Sequence, residues 1–222
     1  MNFTGRTKPH RLRERGSREW TSIADILDAG FVAHVAFCID RQPFVIPTMY
    51  GRNDHTLYLH GSVASRMLRE LATGVQACVT VTLVDGLILS RSAFDHSMNY
   101  RSVVAFGTAR KIEDPGLKLE ALYIMAEHLM AGRWADVRAP SAKELNATTV
   151  LEFAIDEASS KQRTGLPQDN ESDAAQPVWA GVLPLELSPR PPVPDEGLVA
   201  GVEVPRYVLD YATRLRRGSG LP

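Results

Sequence analysis

Gly61, Ser62, Ser65 and Arg66 have the types and spacing to hold an anion. They fall where a helix is expected to start. Orphan N–H donors and the positive end of the helix dipole converge at such a start, and an arginine adds a two-pronged donor. The anion this chemistry favours is a phosphate. The same residues also fit a plain helix start, with Ser62 as cap, Val63, Met67, Leu68 and Leu71 as the apolar face, and Ser65 and Arg66 in solvent. Spacing alone does not separate the two readings, because Ser-x-x-Ser-Arg is a weak signature.

Other reactive residue types form no comparable group. The histidines, at 10, 34, 55, 60, 96 and 128, show no His-x-x-x-His or His-Glu-x-x-His spacing that would bring two onto one helix face. Neither Ser62 nor Ser65 lies in Gly-x-Ser-x-Gly, and the consecutive Asp95-His96-Ser97 cannot stack into a relay. Cys38 and Cys78 lie in apolar runs without a Cys-x-x-Cys, which reads as two buried free thiols. Gly-x-Gly-x-x-Gly after a strand and Gly-x-x-x-x-Gly-Lys-Ser/Thr are both missing, which disfavours an α/β nucleotide fold.

The chain of 222 residues has 44% hydrophobic residues, enough for one large domain with a real core. A formal charge of −1 gives no basic field, so neither a nucleic acid nor a membrane surface is expected as partner. A small-molecule substrate is the default. No apolar run approaches the roughly 18 residues that span a bilayer, and the N-terminus is polar and Arg-rich rather than a secretory signal, so a cytoplasmic location is expected.

The elements that would position the Gly61–Arg66 corner read as follows. Residues 1–19, with Arg6, Lys8, Arg11, Arg13, Arg15 and Arg18, form a basic arm that is either solvated or laid over a partner or an anionic ligand. Ser22-x-x-Asp25 opens a short helix that Gly30 ends. A strand over 31–39 has two apolar faces, so both are expected to be covered. Asp40-Arg41-Gln42 turns the chain into a strand over 44–50, and residues 51–54 turn it into another over 56–60. Pro47 cannot donate to a ladder, so it marks an edge, a bulge or a place where a ligand replaces a neighbouring strand.

A helix over 63–73 follows, then a strand over 75–84, an Asp85-Gly86 hairpin turn, and strands over 87–92 and 100–112. The next helix shows the stripe Leu117, Ala121, Ile124, Met125, His128, Leu129, and a sixth strand covers 148–155. Residues 158–177 read as a polar loop carrying Lys161 and Arg163, and 178–187 as the last strand. The boundaries are then 1–19 for the arm, 20–187 for the domain, and 188–222 for a Pro-rich extension ending in a short basic helix over 206–217. Strands in mainly hairpin order describe a mainly β protein, a closed or nearly closed antiparallel barrel of six to seven strands with peripheral helices.

Five stretches in this order resemble the flavin-binding split barrel of the pyridoxamine 5′-phosphate oxidase superfamily, in its branch related to nitroimidazole-resistance flavoproteins. They are PFVIPTMY at 43–50, TLYLHGSVASRM at 56–67, DGLILSRSAFDHSMNYRSVVAFG at 85–107, SSKQRTGLP at 159–167 and VWAGVLPL at 178–185. The resemblance implies a homodimer with flavin mononucleotide (FMN) at its interface. On that model Ile46, Pro47 and Thr48 offer backbone groups to the ring's polar edge, and Leu59 and His60 lie near the ring and ribityl chain. Gly61 and Ser62 belong to the phosphate corner, where Ser65 and Arg66 take the phosphate.

Ser102 stands where the oxidases carry a flavin-contacting glutamine, and Trp179 begins the last strand. Arg101 fits a surface charge, a dimer salt bridge or a cation near the flavin. The oxidases' flavin strand has an Arg and a Lys that the apolar run 44–49 lacks here, so oxidation of pyridoxamine phosphate is not expected. The implied activity is two-electron or hydride transfer to a small organic acceptor, with NAD(P)H as a transient donor. The alternatives are a non-catalytic flavin-storage protein and, further off, a haem-binding split barrel.

Overall fold

The structure is a computed structural model, and it describes residues 5–7 and 12–211. Lys8 and Arg11 of the arm, and 212–217 of the expected terminal helix, lie outside the described residues. Strand β1 (Gly16–Ser17) leads into helix α1 (Trp20–Ala29), which buries Ile23, Ile26 and Leu27. The helix starts two residues before Ser22, because the Ser22 hydroxyl is engaged elsewhere: it lies 2.9 Å from the Ser160 hydroxyl and accepts from Gln162 at 2.9 Å. Gly30 does end it, in a space that a Cβ would close, 2.5 Å from Val81 Cγ1.

Strands β2 (Val32–Ile39) and β3 (Gln42–Met49) are joined through Asp40 and Arg41, both at positive φ (48° and 65°), the twist that a two-residue hairpin needs. Then come β4 (Gly51–Asn53), β5 (Thr56–Ser62), α2 (Arg66–Leu71), β6 (Gln76–Leu89), β7 (Ser97–Lys111), α3 (Pro115–Leu129), α4 (Ala142–Ala147), β8 (Thr148–Arg163), β9 (Gly181–Pro184) and α5 (Arg206–Leu209). All strands belong to one nine-stranded antiparallel sheet in the order β3-β2-β6-β7-β8-β5-β4, with β1 on β8 and β9 on β6. The sheet curls around a core built from its inward alternation, including Val35, Leu57, Leu59, Val79, Val103 and Phe153. It does not close: β3 approaches β5 without pairing to it, and Pro47 sits on the β3 edge, where a missing N–H is tolerated.

Several expectations are corrected. Asp85-Gly86 is no turn. Strand β6 runs through it with a bulge between Val84 and Gly86, Asp85 accepts two bonds from Arg101 (3.0 and 2.8 Å), and Gly86 lets the β9 backbone come close. The chain reverses in the next polar segment, where the Ser90 hydroxyl donates to the Asp95 carbonyl. Residues 158–163 are strand rather than loop, since β8 pairs with β7 as far as Tyr100↔Arg163.

The helix expected over 63–73 shrinks to 66–71, and the strand expected over 178–187 shrinks to 181–184, leaving Trp179 exposed before it. Cys38 is exposed and Cys78 only half-buried, because the outer face of β2 is open in the single chain. Of the α3 stripe, Ala121 and Met125 are buried but Leu117 and Leu129 are exposed. Lys118 is buried instead and donates to the carbonyls of Leu145 and Thr148. The arm is anchored: β1 pairs with β8, and Arg6 (2.5 Å) and Thr7 donate to the fully buried Glu157 carboxylate.

Candidate functional site

The corner begins where β5 ends. Ser62 is the last strand residue, and its hydroxyl accepts from the Ala64 N–H while its carbonyl accepts from Ser65. Ser65, not Ser62, is the N-cap of α2 and accepts from Leu68 N–H. A helix of six residues sums little dipole, so any anion held here is held by Arg66. Arg66 is exposed, has no carboxylate partner among the described residues, and lays its guanidinium over the Phe44 ring, 4.4 Å from the centroid. Stacking fixes the direction of a cation that would otherwise wander, and it ties the α2 corner to the free-edge strand β3.

On β3, Ile46 packs against the core and Thr48 lies opposite the buried Ala33, so both turn their side chains inward. With Pro47 between them, what this stretch offers outward is its backbone edge. Leu59 is wholly buried in the core, and it too presents only backbone. Gly61 lets α2 approach β5, since a Cβ there would lie 3.0 Å from Leu68 Cδ1.

His60 points to the other face of β5. It borders a cavity of about 470 Å³ with Leu122, Arg138, Pro140, Glu144 and Thr148. Its Nδ1 is buried and makes no hydrogen bond, and burial holds the imidazole below its ordinary pKa, hence neutral near pH 7. A neutral imidazole with an unengaged nitrogen is chemically able to ligate a metal.

Ser102 and Trp179 are not brought to the corner by this chain. Ser102 lies on β7, between Thr82 and Lys161, and donates to the Lys161 carbonyl. It is three strands from β3, roughly 14 Å away. Arg101 pairs within the chain with Asp85. Sequence reasoning missed Phe44 as the platform for Arg66, because only the placement of β3 against α2 brings the two together. It also missed α4, although its signal was local: Ser141 and Glu144 form a complete capping box.

A family model described as pyridoxamine 5′-phosphate oxidase matches residues 19–162. Among solved structures, the flavocytochrome Anf3 from Azotobacter vinelandii is 39% identical, with a TM-score of 0.87 over 93% of this chain and 96% of that one. A protein from Mycobacterium smegmatis described as binding FAD and haem is 36% identical, with a TM-score of 0.85 over 89% of this chain and 97% of that one. A putative 5-nitroimidazole antibiotic resistance protein from Bacteroides thetaiotaomicron, 23% identical with a TM-score of 0.56 over 66% of this chain and 85% of that one, shares the fold. A search of curated proteins finds no match.

Proposed function

The chain belongs to the pyridoxamine 5′-phosphate oxidase family, and on that premise we propose that it is a flavin-dependent redox protein that also carries a haem. The observation that carries the flavin half is Arg66, a cation held in place on Phe44 with no carboxylate partner among the described residues. Arg66 binds the phosphate next to the flavin's ribityl chain, which FMN and FAD have in common. The backbone of Ile46, Pro47 and Thr48 lies along the ring's polar edge. FMN satisfies this corner alone; FAD is what the M. smegmatis relative is described as binding.

A second copy of the chain covers the outer face of β3, β2 and β6, where Val32, Val45 and Val84 are 48%, 58% and 45% exposed. In that homodimer Ser102 and Trp179 reach the flavin from the partner. The bound flavin supplies two-electron or hydride transfer. This chain's residues orient it and shape access for a small organic acceptor, with a reduced nicotinamide as transient donor.

The haem reading is favoured by His60. Its neutral imidazole has a buried nitrogen without a hydrogen bond and lines a cavity of about 470 Å³, which suits axial ligation. The likeness to two proteins described as a flavocytochrome and as an FAD and haem binder supports it. An absorption spectrum of the protein, purified with flavin and haemin supplied, tests both halves. Flavin and haem bands together are expected, and His60→Ala should lose the haem bands while keeping the flavin. Flavin bands alone remove the haem half; protein that stays colourless and refuses FMN on titration overturns the whole. If flavin is present but no donor bleaches it anaerobically, storage replaces redox catalysis.

A further inference from the structure

Far along β8 from the Arg66 corner lies a second group of cations. Arg163, the last residue of β8, is only 8% exposed. Burying a guanidinium is costly unless an anion compensates it, and no carboxylate does so among the described residues. Of its five donors one is matched, by the Asn99 amide oxygen at 3.0 Å. The two-residue strand β1 pairs with Ser160 and Lys161, and Arg15, just before it, is near enough for its charge to act on Arg163. Both border a cavity of about 520 Å³ with Ser17, Gln162, Thr164 and Gln168. The one acid on the lining, Glu14, has its side chain 69% exposed and 3.9 Å from Arg15. Burial and the Arg15 charge both press the Arg163 guanidinium below its ordinary pKa, the direction that an arriving anion would reverse.

We propose that Arg15 and Arg163 form a phosphate-binding site, set apart from the Arg66 corner of the same chain, for the phosphates of a nucleotide. Two guanidiniums with hydroxyls and amides around them suit a tetrahedral oxyanion, and the cavity has room for more than a bare ion. Fifteen residue steps along β8 separate Arg163 from Thr148, which pairs with Ser62, a path of roughly 50 Å along the curved strand. The site thus lies at the opposite end of β8 from this chain's own corner. Its occupant is either the second phosphate of a dinucleotide flavin held by a partner copy or a separate nucleotide such as the electron donor.

Titration calorimetry of the full chain with sodium pyrophosphate, as purified and after flavin removal, tests the site. Pyrophosphate should bind, and Arg163→Gln and Arg15→Gln should each weaken it about 10- to 150-fold. Arg15→Gln, nearer the surface, keeps the test alive if Arg163→Gln fails to fold. Binding only after flavin removal makes the flavin's second phosphate the occupant, and FAD should then lose affinity in both variants while FMN does not. Binding to flavin-saturated protein, with ADP showing the same arginine dependence, makes the occupant a separate nucleotide. No pyrophosphate binding in either state, or binding indifferent to both substitutions, overturns the site. Colourless protein that still binds pyrophosphate through these arginines would sink the flavin reading and leave this one standing.

Discussion

Replacing Arg66 by Ala removes charge-assisted hydrogen bonds worth about 1.5–3 kcal/mol, so FMN affinity should fall about 10- to 150-fold. Riboflavin, which lacks the phosphate, should bind the variant nearly as well as the wild type. Fluorescence titration with both ligands checks this, and an equal loss for both would take Arg66 out of the phosphate site. Arg66 and Ser65 were legible in the sequence because the corner is one local segment. Their settings were not: the ring under the guanidinium comes from another strand, and the cap falls on Ser65 because β5 runs on through Ser62.

His60 and His128 carry a pH prediction. Burial lowers both folded-state pKa values, for His128 against a partly opposing hydrogen bond to the Gly30 carbonyl. Between the lowered folded value and about 6.5, the unfolded chain binds more protons than the native one. Stability therefore rises with pH through that window, is complete above about 6.5, and is lost as pH falls below it. Urea midpoints of haem-free protein should drop from pH 7.5 to about pH 5.5, and His60→Gln should shrink the drop. An unchanged slope in the variant would mean that His60 titrates as an ordinary exposed histidine.

At the scale of elements, strands were legible wherever one face alternates into the core, as in β2 and β6. Two were misread for one reason: the residue types that signal turns also serve bulges and polar pairings that only the tertiary partner reveals. Gly86 serves a bulge beside β9, and at the polar end of β8 Ser160 meets Ser22 and Arg163 donates to Asn99. The other bulge, where β7 meets β8 between Phe106 and Gly107, is constrained more tightly. A Cβ at Gly107 would run into the Ala154 carbonyl, and the bulge cannot retreat because Glu157, fully buried beside it, is pinned by Arg6 and Thr7. Gly107→Ala should therefore cost about 1–3 kcal/mol or more, read as a lower urea midpoint. A variant as stable as the wild type would show that the β7–β8 ladder yields there.

At the scale of the whole molecule, the chain folds as the expected split barrel with its sheet left open, and the open outer face bears on the proposed homodimer. The strand expected over 31–39 reads as apolar on both faces, yet its outer residues Val32, His34 and Cys38 are exposed in the single chain. A covered outer face is what the sequence pattern demands, and a second copy meets that demand without further folding. Val45 tests this best. It sits on the outer side of β3 beside the Ile46–Thr48 backbone, 58% exposed, and its replacement removes nothing from the core. Val45→Asp would place an unpaired charge inside the interface, at a cost of several kcal/mol. Sedimentation velocity should show a wild-type dimer and a variant that dissociates at micromolar concentration while keeping its circular dichroism. Flavin affinity should fall with dissociation, since Ser102 and Trp179 of the second copy leave with it. A wild type that is monomeric at every concentration would overturn the dimer, and Ser102 and Trp179 would then have no route to the flavin.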